Sequence, residues 1–181
     1  MPPPFRRSLP LAGAVLALAA LARAQSAAID TPTRVRAVAP EARALLDELV
    51  DRSPTAHALV DRLEQSDVIV YVRFRSFTTE LFHGRTGLLP TTRRRFLVVE
   101  LACAQSHIVE LTTLAHELYH AVEIADAPSV VDAATLSAHY SRIGSRVGKL
   151  GDSELFETNA AANFGRQVRR ELLAGAVRTT Q

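Results

Sequence analysis

The sequence predicts an α+β protein, a small antiparallel sheet packed with helices, with the motif HExxH on a central helix. Three observations predict it. Apolar residues recur at helical spacing in two short segments before residue 65, then alternate with period two between Val68 and Arg75. From Ser106 the period returns to 3.6 and runs through "LTTLAHELYHAVEIAD". Helices, then strands, then helices is an α+β order.

The first residues are set apart by their own pattern. "MPPPFRRSLPLAGAVLALAALARAQ" has a basic start at Arg6 and Arg7, an apolar run from Leu11 to Ala22, and Ala22-Arg23-Ala24 before Gln25. That is the layout of a secretory signal peptide cut after Ala24. The run is shorter than the roughly 20 apolar residues of a membrane span. The expected organisation is therefore a signal peptide over 1–24, a linker over 25–39, one domain over 40–175 and a tail over 176–181. The mature protein is expected to be exported, periplasmic or extracellular, with no stable membrane span.

Cleavage would remove three of the 21 basic residues and none of the 19 acidic ones, leaving 18 against 19, a net charge of −1. Such a balance argues against a nucleic-acid partner. "TTRRRF" (Arg93, Arg94, Arg95) has no interleaved aromatic residue and reads as a solvated loop or strand end. The single cysteine, Cys103, excludes an intramolecular disulfide and reads as a buried apolar residue. Stability must then come from a hydrophobic core, which a chain of this length can bury. Nothing in the sequence speaks to oligomeric state.

Within the domain, "PEARALLDELVDRS" opens on Pro40 and repeats Leu45, Leu46, Leu49 and Val50, a short amphipathic helix. "SPTAHALVDRLEQSD" repeats the device, with Ser53 as N-cap and Pro54 in the first turn. In "VIVYVRFRSF", Val68, Val70, Val72 and Phe74 share one face of a half-buried strand, opposite Tyr71, Arg73 and Arg75. Gly84 and Gly87 read as turns, and "RRFLVVELAC" as a second, more apolar strand. A helix is expected from Ser106 to Asp126, where Pro128 ends it. Another is expected from about Ser129 to Val147, with Leu136, Tyr140, Ile143 and Val147 as its stripe. A last helix is expected from Asp152 or Ser153 to about Leu173.

On the motif helix, residues four apart stack one above the other, so His116 and His120 can point two imidazoles at one ion. Leu111, Leu114, Leu118, Ala121, Val122 and Ala125 form an apolar arc, and His116, His120 and Glu123 lie on the other side. A plain surface helix would explain two solvated histidines. The flanking alanine, leucine, threonine and valine favour metal binding instead.

"HELYH" resembles the zinc metallopeptidases of the HExxH type, the zincins, at every specified position. The resemblance covers that helix, with weaker support from the strands before it and the acidic segment after it. It implies a zincin-like fold of small exported bacterial type, with His116 and His120 as zinc ligands and Glu117 as the general base acting on a zinc-activated water. A third ligand remains to be found. Glu123 lies at i+7, and three ligands along one straight helix would span about 10 Å, so Glu123 reads as a residue that orients an imidazole. The gluzincin branch takes a glutamate from a later helix. Here Glu157 falls in line with Ala161, Phe164 and Val168, an acid among core-facing positions that needs a partner such as a metal. Glu154, Asp126, Asp132 and His139 are the alternatives. The gluzincin aspartate four residues after the ligand is replaced here by Ala161. His139 is a further candidate, as donor to the oxyanion of an acyl-transfer intermediate, while Tyr140 reads as packing.

The resemblance implies a secreted zinc-dependent metallopeptidase with a peptide or protein substrate, which could pair with the strand Phe96–Leu101. Two alternatives stay open: a non-catalytic protein in which zinc only ties helices together, and an interaction module without metal.

Overall fold

A computed structural model describes residues 33–77, 83–89, 94–150 and 153–178. The expected signal peptide, 1–24, lies outside the described residues. The elements run β1 (Val35–Ala37), α1 (Pro40–Arg52), α2 (Pro54–Glu64), β2 (Ile69–Arg75), β3 (Gly84–Leu89), β4 (Phe96–Ala102) and α3 (His107–Ala125). Then follow α4 (Ala133–Ile143), β5 (Ser145–Leu150), β6 (Ser153–Glu157) and α5 (Asn159–Arg178). This is a mixed α+β chain, and no described helix is long and apolar enough to cross a membrane.

Helices α1 and α2 form where the spacing put them. Pro40 opens α1, and Ala42, Leu45, Leu46 and Leu49 are its buried face. Ser53 ends α1 and caps α2, accepting the Ala56 N–H at 3.1 Å while donating its hydroxyl to Glu171 of α5 at 2.6 Å. The corner between the first two helices is thereby tied to the last one.

The main sheet has the order β1-β2-β4-β3. It is not the antiparallel sheet that the sequence predicts: β1, β2 and β4 are parallel, and only β3 runs against its neighbour β4. The reason is in the connections. A parallel pair needs a crossover of a dozen or more residues, and α1 with α2 supplies it between β1 and β2. Strand β1 begins inside the segment expected to be linker, and its three residues are too short to show a period. Strand β4 then inserts between β2 and β3, so it is a central strand, and β3 takes the edge. Gly84 and Gly87 are accordingly strand residues rather than turns.

One face of the sheet carries Val70, Val72, Leu97, Val99 and Leu101, all buried in the core with Leu111, Leu114 and Leu118 of α3. The other carries a buried carboxylate, Glu100, fully enclosed and hydrogen-bonded by Arg73, Arg75 and Arg85. Burial would raise its pKa, but the three guanidiniums outweigh burial and hold it below the ordinary carboxylate range.

Two more expectations are corrected here. Cys103 is exposed, in the turn that follows β4. Arg95 is not a solvated member of a basic cluster: its guanidinium is buried and donates to the carbonyls of Ile124 (2.7 Å), Ala125 (3.0 Å) and Ala127 (2.9 Å), while its Nε reaches Asp67 at 3.1 Å. These carbonyls lie at the end of α3, where a cation meets the negative end of the helix dipole; those of Ile124 and Ala127 also accept the Ala127 and Val130 N–H groups. Arg95→Met keeps the length and strips three hydrogen bonds to the helix end together with the pair to Asp67. It should cost about 3 kcal/mol, read as a fall of several degrees in Tm, and an unchanged Tm would mean that water satisfies the helix end as well.

Candidate metal centre

Helix α3 lies between the sheet and α5, packing on β3, β4 and α5. Because it is covered on both sides, the histidine face is largely enclosed too: His120 is 6% and Glu117 5% exposed, and His116 is half-buried. The other wall is α5, which approaches at Gly165, where an added Cβ would lie 3.5 Å from Cβ of His116.

The sequence expected Ser129–Val147 to be one helix and the last helix to begin near Ser153. Instead α4 stops at Ile143, and β5 and β6 form an antiparallel hairpin with a bulge between Arg146 and Gly148. The Gly144 N–H closes α4 onto the Tyr140 carbonyl at 2.8 Å. A Cβ on Gly144 would sit 2.7 Å from the carbonyl oxygen of Glu157, so only glycine lets these two backbones meet. Helix α5 begins at Asn159, and Thr158 before it accepts the Ala161 N–H on Oγ1 at 3.0 Å. Glu157 is thus the last residue of β6 and not part of a helix.

From that position its carboxylate meets both histidines. Glu157 Oε2 lies 3.1 Å from His116 Nε2, and Oε1 lies 3.7 Å from His120 Nε2. One ligand atom from each of the three residues falls within 4.8 Å of the others. The other expected ligands are engaged elsewhere. Glu154 pairs with Arg146 at 3.1 Å, Asp126 pairs with Arg62, and Asp132 caps α4 by accepting the Thr135 N–H at 2.8 Å. His139 does not line the cleft. It contacts Tyr140 edge-on and Arg142, and its Nε2 is buried without a partner among the described residues.

His120 is held from behind. Glu123 Oε2 is 2.7 Å from His120 Nδ1, and the Thr158 hydroxyl donates to Glu123 Oε1 at 2.7 Å. A proton on Nδ1 facing Glu123 leaves the Nε2 lone pair turned toward Glu157. The buried Tyr140 donates its hydroxyl to the His120 carbonyl at 3.2 Å and stacks on Phe156. Burial and the nearby carboxylates of Glu123, Glu117 and Glu157 push this phenol well above its usual pKa.

Glu117 stands apart from the three. The Thr86 hydroxyl of β3 lies 2.8 Å from both its Oε2 and its backbone oxygen. Gly84, two residues earlier on the same strand, leaves room for it: a Cβ there would be 3.0 Å from Glu117 Cγ. Burial raises the Glu117 pKa above the ordinary carboxylate value, against the pull of His120, His116 and Thr86. The neighbouring acids go the other way. Burial opposes ionisation of Glu123 and Glu157, but hydrogen bonds from His120 and Thr158 for the one, and from His116 for the other, keep both below it. His116 is the counterpart: burial lowers its pKa, but Glu157 and Glu117 raise it by more, to a net increase.

The cluster opens into a cleft of about 1070 Å³. Sequence reasoning missed Thr86, Thr158 and the cleft-lining His83. Only Thr158 carried a signal, as a threonine just before a helical run.

Two imidazole nitrogens and one carboxylate, facing open volume on one side, are a donor set that suits zinc with a free coordination position. The hydrogen bond behind His120 adds to that fit. Because the backbone contact at Gly144 sets Glu157, Gly144→Ala must push β6 away. Overpacking of this kind costs about 1–3 kcal/mol, and the variant should bind zinc more weakly than wild type by titration against a competing chelator. Equal affinity would show that the hairpin relaxes without moving Glu157. No protein-family model, curated protein or solved structure matches the chain, so the functional reading rests on this geometry.

Proposed function

We propose that the chain is a zinc-dependent peptidase. One observation carries the reading: His116, His120 and Glu157 converge in an open cleft, and beside them a buried carboxylate, Glu117, has among the described residues only the Thr86 hydroxyl as side-chain hydrogen-bond partner. A purely structural site would have no use for that acid. Bound zinc would polarise a peptide carbonyl and make water nucleophilic at neutral pH.

The chain's own residues supply the rest. Glu117 accepts the proton of the attacking water and hands it to the leaving amine, a role suited to a carboxylate whose pKa burial has raised. Thr86 fixes that carboxylate, and Glu123, itself held by Thr158, fixes the ring of His120. An extended peptide would pair with β3 and not with β4, because β3 is the edge and its Gly84, Arg85 and Thr86 line the cleft. The export expected from the leading segment belongs to the same proposal, with peptides or proteins outside the cytoplasm as substrates. Zinc-loaded protein incubated with a broad peptide library, its products read by mass spectrometry, tests the reading. A library left intact would sink it and leave zinc as a tie between α3 and the β5–β6 hairpin.

A further inference from the structure

Helix α5 lays Ala162, Gly165, Arg166 and Arg169 along the cleft. Their spacing of i, i+3, i+4 and i+7 makes them one face of the helix. That face changes character along its length. Ala162 and Gly165 are small, and at Gly165 the helix passes against His116. The next turn presents two exposed guanidiniums.

These guanidiniums differ from most others in the fold. Arg43, Arg52, Arg62, Arg73, Arg75, Arg85, Arg95 and Arg146 each lie within ion-pair distance of a carboxylate. Among the described residues no carboxylate pairs with Arg166 or Arg169; Arg166 donates only to the side-chain oxygen of Asn163. The nearest acid on the helix, Glu171, is turned to Ser53 and Thr55. Among the cleft-lining acids, Glu117 and Glu157 belong to the centre, and Glu154 is already paired with Arg146. The α5 wall therefore carries two positive charges that nothing described neutralises.

From this we infer that Arg166 and Arg169 read a carboxylate on the substrate, so that the cleft selects peptides that present one at a fixed distance from the metal centre. The inference rests on the peptidase reading and deepens it. Geometry sets the position. Gly165 to Arg169 is about 6 Å of helical rise, and an extended chain advances about 3.3 Å per residue. With the reach of the side chain, the carboxylate sits about two to three residues from the bond at the metal centre. A guanidinium takes a carboxylate in a bidentate fork, whether it comes from an aspartate or glutamate side chain or from the peptide's own C-terminus.

The test uses the full chain and three sets of fluorescein-labelled peptides of one common sequence. The first is amidated and carries Glu at each position in turn, the second carries Gln there, and the third is the Gln peptide with a free C-terminal carboxylate. Cleavage by the zinc-loaded protein gives kcat/KM, and fluorescence anisotropy gives binding to protein stripped of metal. A carboxylate about two to three residues from the cut should improve kcat/KM at least about fivefold through KM, and binding by a similar factor. Arg166→Gln with Arg169→Gln should abolish both gains, as should about 0.5 M salt, whereas Arg170→Gln, which lies off the cleft, should keep them. Gain in the third set alone assigns the carboxylate to the terminus and supports the inference equally. Equal handling of Glu and Gln peptides that carry no free carboxylate advantage overturns it, as does a preference that survives the double substitution. Cleavage without preference overturns this inference and spares the peptidase reading; a binding preference without cleavage does the reverse.

Discussion

Replacing Glu117 with glutamine should leave the protein folded and zinc-loaded while peptide hydrolysis falls at least about a hundredfold. The substitution isolates one property. Glutamine has the same shape, fits the space that Gly84 leaves, and can still accept from the Thr86 hydroxyl through its amide oxygen. It cannot take up a proton. Positioned general bases typically contribute about 10²–10⁴-fold. Stability gives the control. Burial already disfavours the charge on Glu117, so a neutral isostere removes a desolvation cost and should melt at or slightly above the wild-type temperature. Zinc content should be unchanged, because Glu117 follows His116 by one position, about 100° around the helix, and is not among the three converging candidate ligands. Equal cleavage by wild type and variant would refute the general-base role.

The ease with which this site was legible, and the difficulty of the elements around it, have separate physical causes. The pair His116 and His120 and the acid between them lie inside a single helix of strong period, so their relative placement depended on helical geometry alone. Glu123 was legible for the same reason, since i+3 from His120 is a fixed neighbour on that surface, and it stands 2.7 Å from the ring. Glu157 was reached through the wrong element. The stripe of Ala161, Phe164 and Val168 belongs to α5, and its extension one turn back reaches Glu157, which meets both histidines. The chain at Glu157 is strand, however, and what aims it is the backbone contact with Gly144. A hairpin signal was present in the Gly151-Asp152 pair between two short runs, but the apolar Ile143 and Val147 continued a helical stripe and outweighed it. Parallel pairing had no local signal at all, because it is decided by a three-residue strand and a crossover. Arg95 likewise looked like its two neighbours, and only the position of the α3 carbonyls distinguishes it.

Glu157→Ala should remove most of the bound zinc, and the loss should appear in stability as well as in metal content. Two imidazoles would remain, short of the three protein ligands that open zinc sites usually carry. Because metal binds the folded state preferentially, added zinc should raise the Tm of wild type and barely move that of the variant. Part of the destabilisation would have another origin, since the Glu157 carboxylate also accepts the Thr158 N–H at 2.7 Å, beside the start of α5. Glu157→Gln separates the two effects in part: it can still accept that N–H through its amide oxygen but loses the charge facing His116, so its metal-free Tm should fall less than that of Glu157→Ala while its zinc affinity drops. Glu154→Ala is the matched control three residues away on the same strand. It breaks only the pair with Arg146, whose guanidinium is exposed, and should cost less than about 1 kcal/mol and leave zinc nearly stoichiometric. Were Glu154→Ala to lose the metal and Glu157→Ala to keep it, the strand would have to run with its faces exchanged, because a shift of one residue turns every side chain of a strand to the opposite side. The contact of Glu157 with His116 and His120 would then be an ion pair and no metal site.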